Sequence, residues 1–241
     1  MFFIIGSQRS GTTLMRLILN SHPDLVVYDE EESHKRIEKN IFPSEKTVGL
    51  KVPVYTYGYN YLPKLFPCSK FVFMKRDVKA IACSMLTLKF ANIPWIKKYG
   101  IEDLKRTIKE VSDNQLRKVF QQKLDESLKI NDLVSMAVLC AYVKSYFINE
   151  YSKAGLEVIE VEYESLVNNP REEIKKVLDF IGVSWDDKVL RHHSSNYGIS
   201  IGKTDNSRPI DSNSVNKWQV FFSDKEVEKI NRLVSELDKN K

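Results

Sequence analysis

Apolar and polar positions along this chain alternate in blocks that predict a strand–helix rhythm. Residues 2–5 (FFII) are a short apolar run broken by Gly6, the pattern of a buried strand. Residues 12–20 place Leu14, Leu17 and Ile18 at helical spacing, and Ser21, His22, Pro23 and Asp24 stop that helix. A second strand is expected at 47–53, ended by Pro53, and a third at 70–76, between Pro67 and the polar pair Arg76 and Asp77. A helix at 78–88 follows it. Residues 157–164 alternate apolar and acidic side chains, a fourth strand. Pro170 opens a helix over 171–181 that Gly182 closes, and a capping box of Ser223 and Glu226 starts a last helix to about 237. Strands alternating with helices predict an α/β fold with a parallel sheet and crossover helices.

The middle of the chain departs from this rhythm. From 89 to 151 the pattern is helical throughout, dense in charge over 97–129, and Leu133, Ala137, Cys140, Lys144, Phe147 and Tyr151 mark a long helix with one apolar face. We therefore expect one domain over 1–241 with a helical insertion at about 89–132. The charged part reads either as a solvated excursion or as a lid over a site.

Composition narrows the class. Of 241 residues, 42% are hydrophobic and 29% charged, with a formal net charge of +5. That balance is ordinary for a globular domain and favours an anionic ligand. Without a basic block interleaved with aromatics, a nucleic-acid partner is not expected. Cys68, Cys83 and Cys140 are odd in number and read as reduced thiols. No His/Cys spacing suggests a metal, and no run approaches the roughly 18 apolar residues of a membrane span. Residues 2–5 are too short for a signal peptide, so the expected location is cytoplasmic if the chain is full length.

The chemistry starts at 6–13, GSQRSGTT. A Walker-type loop reads G-x-x-x-x-G-K-[ST]; Gly6, Gly11 and Thr13 fill their places, but Thr12 occupies the lysine slot. A strand ending in such a loop and entering a helix aims backbone N–H groups at an anion. Without the lysine, γ-phosphoryl chemistry is disfavoured while a nucleotide 5′-phosphate is still accommodated. Arg9 returns one forked, permanent charge to the loop. Arg76 stands at the carboxyl end of a predicted strand, where open α/β sheets bind ligands, and Ser84 follows eight residues on. An arginine and a hydroxyl there would make a second small anion site, so a nucleotide with two separate phosphates is the better account.

These residues resemble the sulfotransferases that use 3′-phosphoadenosine 5′-phosphosulfate (PAPS). RSGTTLMR at 9–16 is similar to their 5′-phosphosulfate loop, and KRDVKAIACSM at 75–85 to their 3′-phosphate motif. EYESLVNNPREEIKKVLDFIGV at 162–183 matches their strand–loop–helix, and SRPIDSNSVNKW at 207–218 their C-terminal cofactor loop. Within the family the likeness is closest to the tyrosylprotein sulfotransferase branch.

The resemblance implies a P-loop-containing sulfotransferase fold and PAPS as co-substrate, with no metal. It implies that Ser10, Gly11, Thr12 and Thr13 hold the 5′-phosphate, with Arg9 near the bridging oxygen. Arg76 and Ser84 would hold the 3′-phosphate, and Tyr163, Ser200 and Arg208 would close on the nucleotide. Glu30 in YDEEE (28–32) matches the branch's catalytic base, and Lys51 a lysine that steadies the transferring group. His34 is the reserve base, whereas His22 reads as a turn residue and His192 and His193 as partners of a helix C-terminus. The branch is membrane-anchored, disulfide-bonded and commonly dimeric. No membrane anchor is expected within these residues, their cysteines offer no framework, and nothing in them shows a homodimer. One arginine that grips acidic peptide in that branch falls on Glu32, though Arg36 matches another. The acceptor is therefore a hydroxyl of open class: protein tyrosine, glycan, lipid or small molecule. The rivals are a P-loop kinase or NTPase and a non-catalytic nucleotide-binding module.

Overall fold

The computed structural model describes residues 1–43, 45–194 and 205–240. In chain order its elements begin with β1 (Phe2–Gly6), α1 (Thr12–Asn20), β2 (Leu25–Tyr28), α2 (Glu30–Lys39), β3 (Thr47–Lys51), α3 (Leu62–Leu65), β4 (Lys70–Lys75) and α4 (Val78–Thr87). There follow a small hairpin, β5 (Lys89–Phe90) and β6 (Ile93–Pro94), then α5 (Ile101–Lys109), α6 (Asn114–Lys129) and α7 (Leu133–Lys153). The remainder is β7 (Val158–Glu162), α8 (Tyr163–Asn168), α9 (Pro170–Ile181), α10 (Lys217–Phe221) and α11 (Asp224–Asp238). The chain divides into two compact units, one of residues 1–6, 10–75 and 148–212, the other of residues 7–9, 76–147 and 213–241.

The first unit holds a five-stranded, all-parallel sheet in the order β2-β3-β1-β4-β7. Central strands β1 and β4 are buried on both faces, which is why FFII and KFVFM read as continuous apolar runs rather than as alternation. Phe2, Ile4, Val72 and Met74 face Met15 and Ile18 of α1 and Ile174 and Leu178 of α9. The other parity faces oppositely: Phe3 stacks on Phe71 (centroids 5.4 Å apart), and Tyr151 packs against Phe71 at 4.8 Å. The sheet is thus flanked by helical residues on both faces, as the alternation predicts. In sequence, every strand of this sheet is followed within a few residues by a predicted site position, or ends on one. Arg9 follows β1, Glu30 follows β2, Lys51 ends β3, Arg76 follows β4 and Tyr163 follows β7.

The second unit is mainly helical. Phe120 of α6 meets Tyr142 and Tyr146 of α7 edge-on, both at 6.1 Å. Tyr142 donates its hydroxyl hydrogen to Asp238 of α11 at 2.6 Å, and Lys123 of α6 pairs with Glu236 at 2.7 Å. The expected capping box opens α11: Ser223 N–H donates to Glu226 Oε2 at 2.9 Å, and Glu226 N–H to Ser223 Oγ at 3.4 Å.

The apolar pattern assigns no element to residues 25–39, which form a strand and a helix. Three expectations are corrected. The expected strand at 157–164 stops at Glu162, because Tyr163 begins α8. The expected helical stretch from 89 begins as the β5–β6 hairpin, whose turn places Ala91 and Asn92 at positive φ. Finally, α7 is not one-faced, since every residue from 135 to 144 is buried.

Candidate active site

In the first unit, Gly6 ends β1 at φ +123°, and a Cβ there would lie 2.4 Å from Met74 O. Only glycine admits so close a neighbouring strand at that torsion. Thr56 fixes this strand end, accepting from Gly6 N–H at 3.0 Å and lying 2.7 Å from Gly6 O. Gly11 is the N-cap of α1 at φ +102°, and a Cβ there would meet Tyr163 Cδ2 at 2.6 Å. Tyr163 therefore lies directly against the second loop glycine. Ser10 and Thr12 are buried and Thr13 half-buried, and α1 begins at Thr12, where the first-turn N–H groups of a helix have no intrahelical acceptor.

The acidic cluster sorts itself by partner. Asp29 caps α2 by accepting from Glu32 N–H at 3.2 Å. Glu31 and Glu32 pair along their own helix with Lys35 (2.8 Å) and Arg36 (3.0 Å). Glu30 instead reaches off the helix: its Oε2 lies 3.7 Å from Lys51 Nζ, with the two side chains 31% and 6% exposed. A carboxylate and a buried ammonium thus meet beside the carboxyl end of β3. His34, one turn along α2, packs on Tyr55 at 4.8 Å, its Nε2 buried and without a hydrogen-bond partner among the described residues. Arg36 also lies 3.8 Å from the centroid of the Tyr28 ring. His22 is held in its turn by Asp24 N–H and the Ser184 carbonyl, at 3.1 and 2.8 Å.

In the second unit, the loop arginine and the downstream pair come together. Arg9, at φ +73°, donates from Nε to Ser84 Oγ at 3.0 Å. Arg76 donates to the Arg9 carbonyl at 3.1 Å and to the Ser214 carbonyl at 2.6 Å. Burial, then the charge of Arg76, lowers the Arg9 pKa. Two half-buried guanidinium groups held this close repel each other, and an anion would relieve that repulsion. Lys79 lies 4.9 Å from the ring centroid of Trp218, the residue that closes the C-terminal motif.

Arg208 pairs with Asp211, and Tyr163 lies near enough to raise its pKa after that carboxylate and against burial. Ser200 lies outside the described residues. Sequence reasoning missed the tyrosines of VYTYGYNY (54–61), where the rings of Tyr55, Tyr57 and Tyr61 contact one another at 5.9–6.5 Å. Their every-second-residue recurrence was the available signal. It also missed the interior charges Asp103 and Lys144, which an apolar helical pattern hides. Among the described residues, no group of His, Cys, Asp or Glu could hold a metal ion, and no helix is long and apolar enough to cross a membrane.

The profile of the family described as the sulfotransferase family matches residues 2–46 and 40–187, spanning loop, acidic helix and sheet. The chain belongs to the sulfotransferase family. Among curated relatives, Caenorhabditis elegans protein-tyrosine sulfotransferase A is 23% identical to this chain over 90% of the chain and 60% of its own length. Danio rerio protein-tyrosine sulfotransferase 1 is 24% identical over 90% of the chain and 65% of its own length. The chain thus spans somewhat less than two thirds of these relatives. Among solved structures, mouse sulfotransferase SULT7A1 complexed with PAP superposes with a TM-score of 0.62 at 16% identity, covering 100% of this chain and 85% of that one. That likeness establishes a shared fold.

Proposed function

We propose that this protein transfers the sulfuryl group of PAPS to a hydroxyl acceptor by in-line displacement, with Glu30 as the general base. The observation that carries the reading is the Glu30–Lys51 pair at 3.7 Å, a proton acceptor beside a buried cation. Family membership supports it, and a protein of the same fold is known in complex with PAP.

The residues fit a doubly phosphorylated nucleotide. The glycine loop leads into α1, and Arg9, Arg76 and Ser84 form a cationic, hydroxyl-bearing group in which Arg9 donates to Ser84 and Arg76 to the Arg9 carbonyl. When bound, PAPS would supply the sulfuryl group and depart as adenosine 3′,5′-bisphosphate. Residues 10–13 would bind its 5′-phosphate, and Arg9 would neutralise the charge growing on the bridging oxygen as the S–O bond breaks. Arg76 and Ser84 would bind the 3′-phosphate, and Tyr163 and Arg208 would close on the nucleotide. Glu30 would take the acceptor's hydroxyl proton as its oxygen forms the new bond to sulfur. Lys51 would balance the charge of the transferring group and orient Glu30.

A γ-phosphoryl transferase is the weaker reading, since Thr12 stands where such a loop needs its lysine. The test is a panel of hydroxyl acceptors incubated with sulfur-labelled PAPS. Label transfer by the wild type that vanishes in Glu30→Gln supports the reading. Transfer that persists in Glu30→Gln moves the base elsewhere, first to His34.

A further inference from the structure

The second unit contains a buried charge network that the reaction does not use. Lys144 of α7 is 0% exposed and Asp103 of α5 is 4% exposed, and Lys144 Nζ lies 2.6 Å from Asp103 Oδ2. The same ammonium donates to the side-chain oxygen of Gln8. Gln8 sits inside the glycine loop, next to Arg9. An ammonium offers only donors, so at full burial it must find acceptors, and here it takes one from the helical segment and one from the loop. A buried ion pair is a weak source of stability compared with apolar side chains of similar volume. Its place beside the loop therefore points to a role other than stability. The loop is also held through Arg9, whose carbonyl accepts from Arg76 and whose guanidinium donates to Ser84. Residues 8 and 9 are thus tethered by side chains from α4, α7 and the residue following β4, while Asp103 steadies the α7 tether.

We infer that Asp103, acting through Lys144 and Gln8, is a positioning residue that fixes the conformation of the phosphate loop. This gives the helical segment at 89–132, read as an insertion, a definite role: one of its carboxylates sets the loop's order. The loop's ligand rests on the proposed function, whereas the ordering itself does not.

Two variants separate positioning from folding. Gln8→Met removes the loop's end of the tether and leaves the ion pair in place. Asp103→Asn combined with Lys144→Met removes both charges together, so no lone buried charge is left to unfold the protein. Amide hydrogen exchange of residues 7–10 is followed in wild type and both variants, with thermal melting as the control for global stability. Exchange faster by on the order of tenfold in both variants, with melting held, supports the inference. Unchanged exchange in folded variants overturns it, whatever the protein binds. Calorimetry with adenosine 3′,5′-bisphosphate supplies the functional arm. There the dissociation constant is expected to rise roughly ten- to hundredfold, the effect of losing a hydrogen bond to a charged group. A wild type that fails to bind the bisphosphate counts against the proposed function alone, because the exchange comparison still decides the positioning.

Discussion

Arg9 and Ser84, 75 positions apart in sequence, are joined by a hydrogen bond of 3.0 Å from the guanidinium Nε to the hydroxyl. The bond unites two motifs that the sequence presents separately, and Arg76 closes the group by donating to the Arg9 carbonyl.

Removing the Arg76 guanidinium is therefore expected to act on a specific part of the ligand. Arg76→Ala should weaken adenosine 3′,5′-bisphosphate by roughly 1.5–3 kcal/mol while leaving 5′-AMP nearly unchanged, and Ser84→Ala should do the same more mildly. Paired titrations of each variant with both nucleotides provide the check. An equal loss for both nucleotides would show that Arg76 shapes the loop and does not read the 3′-phosphate.

Glu30 and Lys51 should separate chemistry from binding. Glu30→Gln keeps the side chain's shape and removes its ability to accept a proton, so turnover should fall by roughly 10²–10⁴-fold with bisphosphate affinity preserved. Lys51→Met leaves Glu30 without its cation, and kcat should fall more than KM rises. Steady-state kinetics with any acceptor found in the panel distinguishes the two.

Gly11→Ala should damage the loop directly. The new methyl would meet the Tyr163 ring at 2.6 Å, at a torsion of φ +102° that a β-carbon disfavours. A loss of about 1–3 kcal/mol in urea unfolding is expected, together with weakened nucleotide binding. Full retention of both would mean that Tyr163 moves freely and does not cap the loop.

His192 makes acid stability predictable. Burial, then the neighbouring His193, pushes its pKa from 6.5 down to about 4. Below pH 6.5 the unfolded chain binds a proton that the folded chain refuses until about pH 4. Its contribution is thus present near neutrality and is lost as pH falls through that window, by about 3 kcal/mol in all. Denaturant titrations at pH 7 and pH 4 should show His192→Gln losing less stability on acidification than wild type. Equal losses would place the acid sensitivity elsewhere.

The parallel sheet and the glycine loop were legible because both depend on local signals: doubly buried strands leave continuous apolar runs, and glycines mark the torsions at Gly6 and Gly11. The acidic helix was not legible. α2 fully buries only Ser33, and its support comes from the Asp29 cap and the i,i+4 pairs of Glu31 and Glu32, so charge masks the helical period. At β7 the strand alternation ran straight into α8, and nothing local announces that Tyr163 turns the corner. Lys144 falls in register with an apolar stripe. Its burial depends on Asp103, a partner 41 positions away that no sequence spacing reveals. Resemblance alone singles out Glu30 in the sequence, and the reason it differs from Glu31 and Glu32 is a tertiary partner, Lys51.

The measurement that bears most directly on the account is calorimetric binding of adenosine 3′,5′-bisphosphate to the wild-type protein, set beside 5′-AMP and Mg²⁺-ATP. The account predicts the tightest binding for the bisphosphate and a sharp loss when the 3′-phosphate is removed. Equal affinity for 5′-AMP, or a preference for Mg²⁺-ATP, would contradict it.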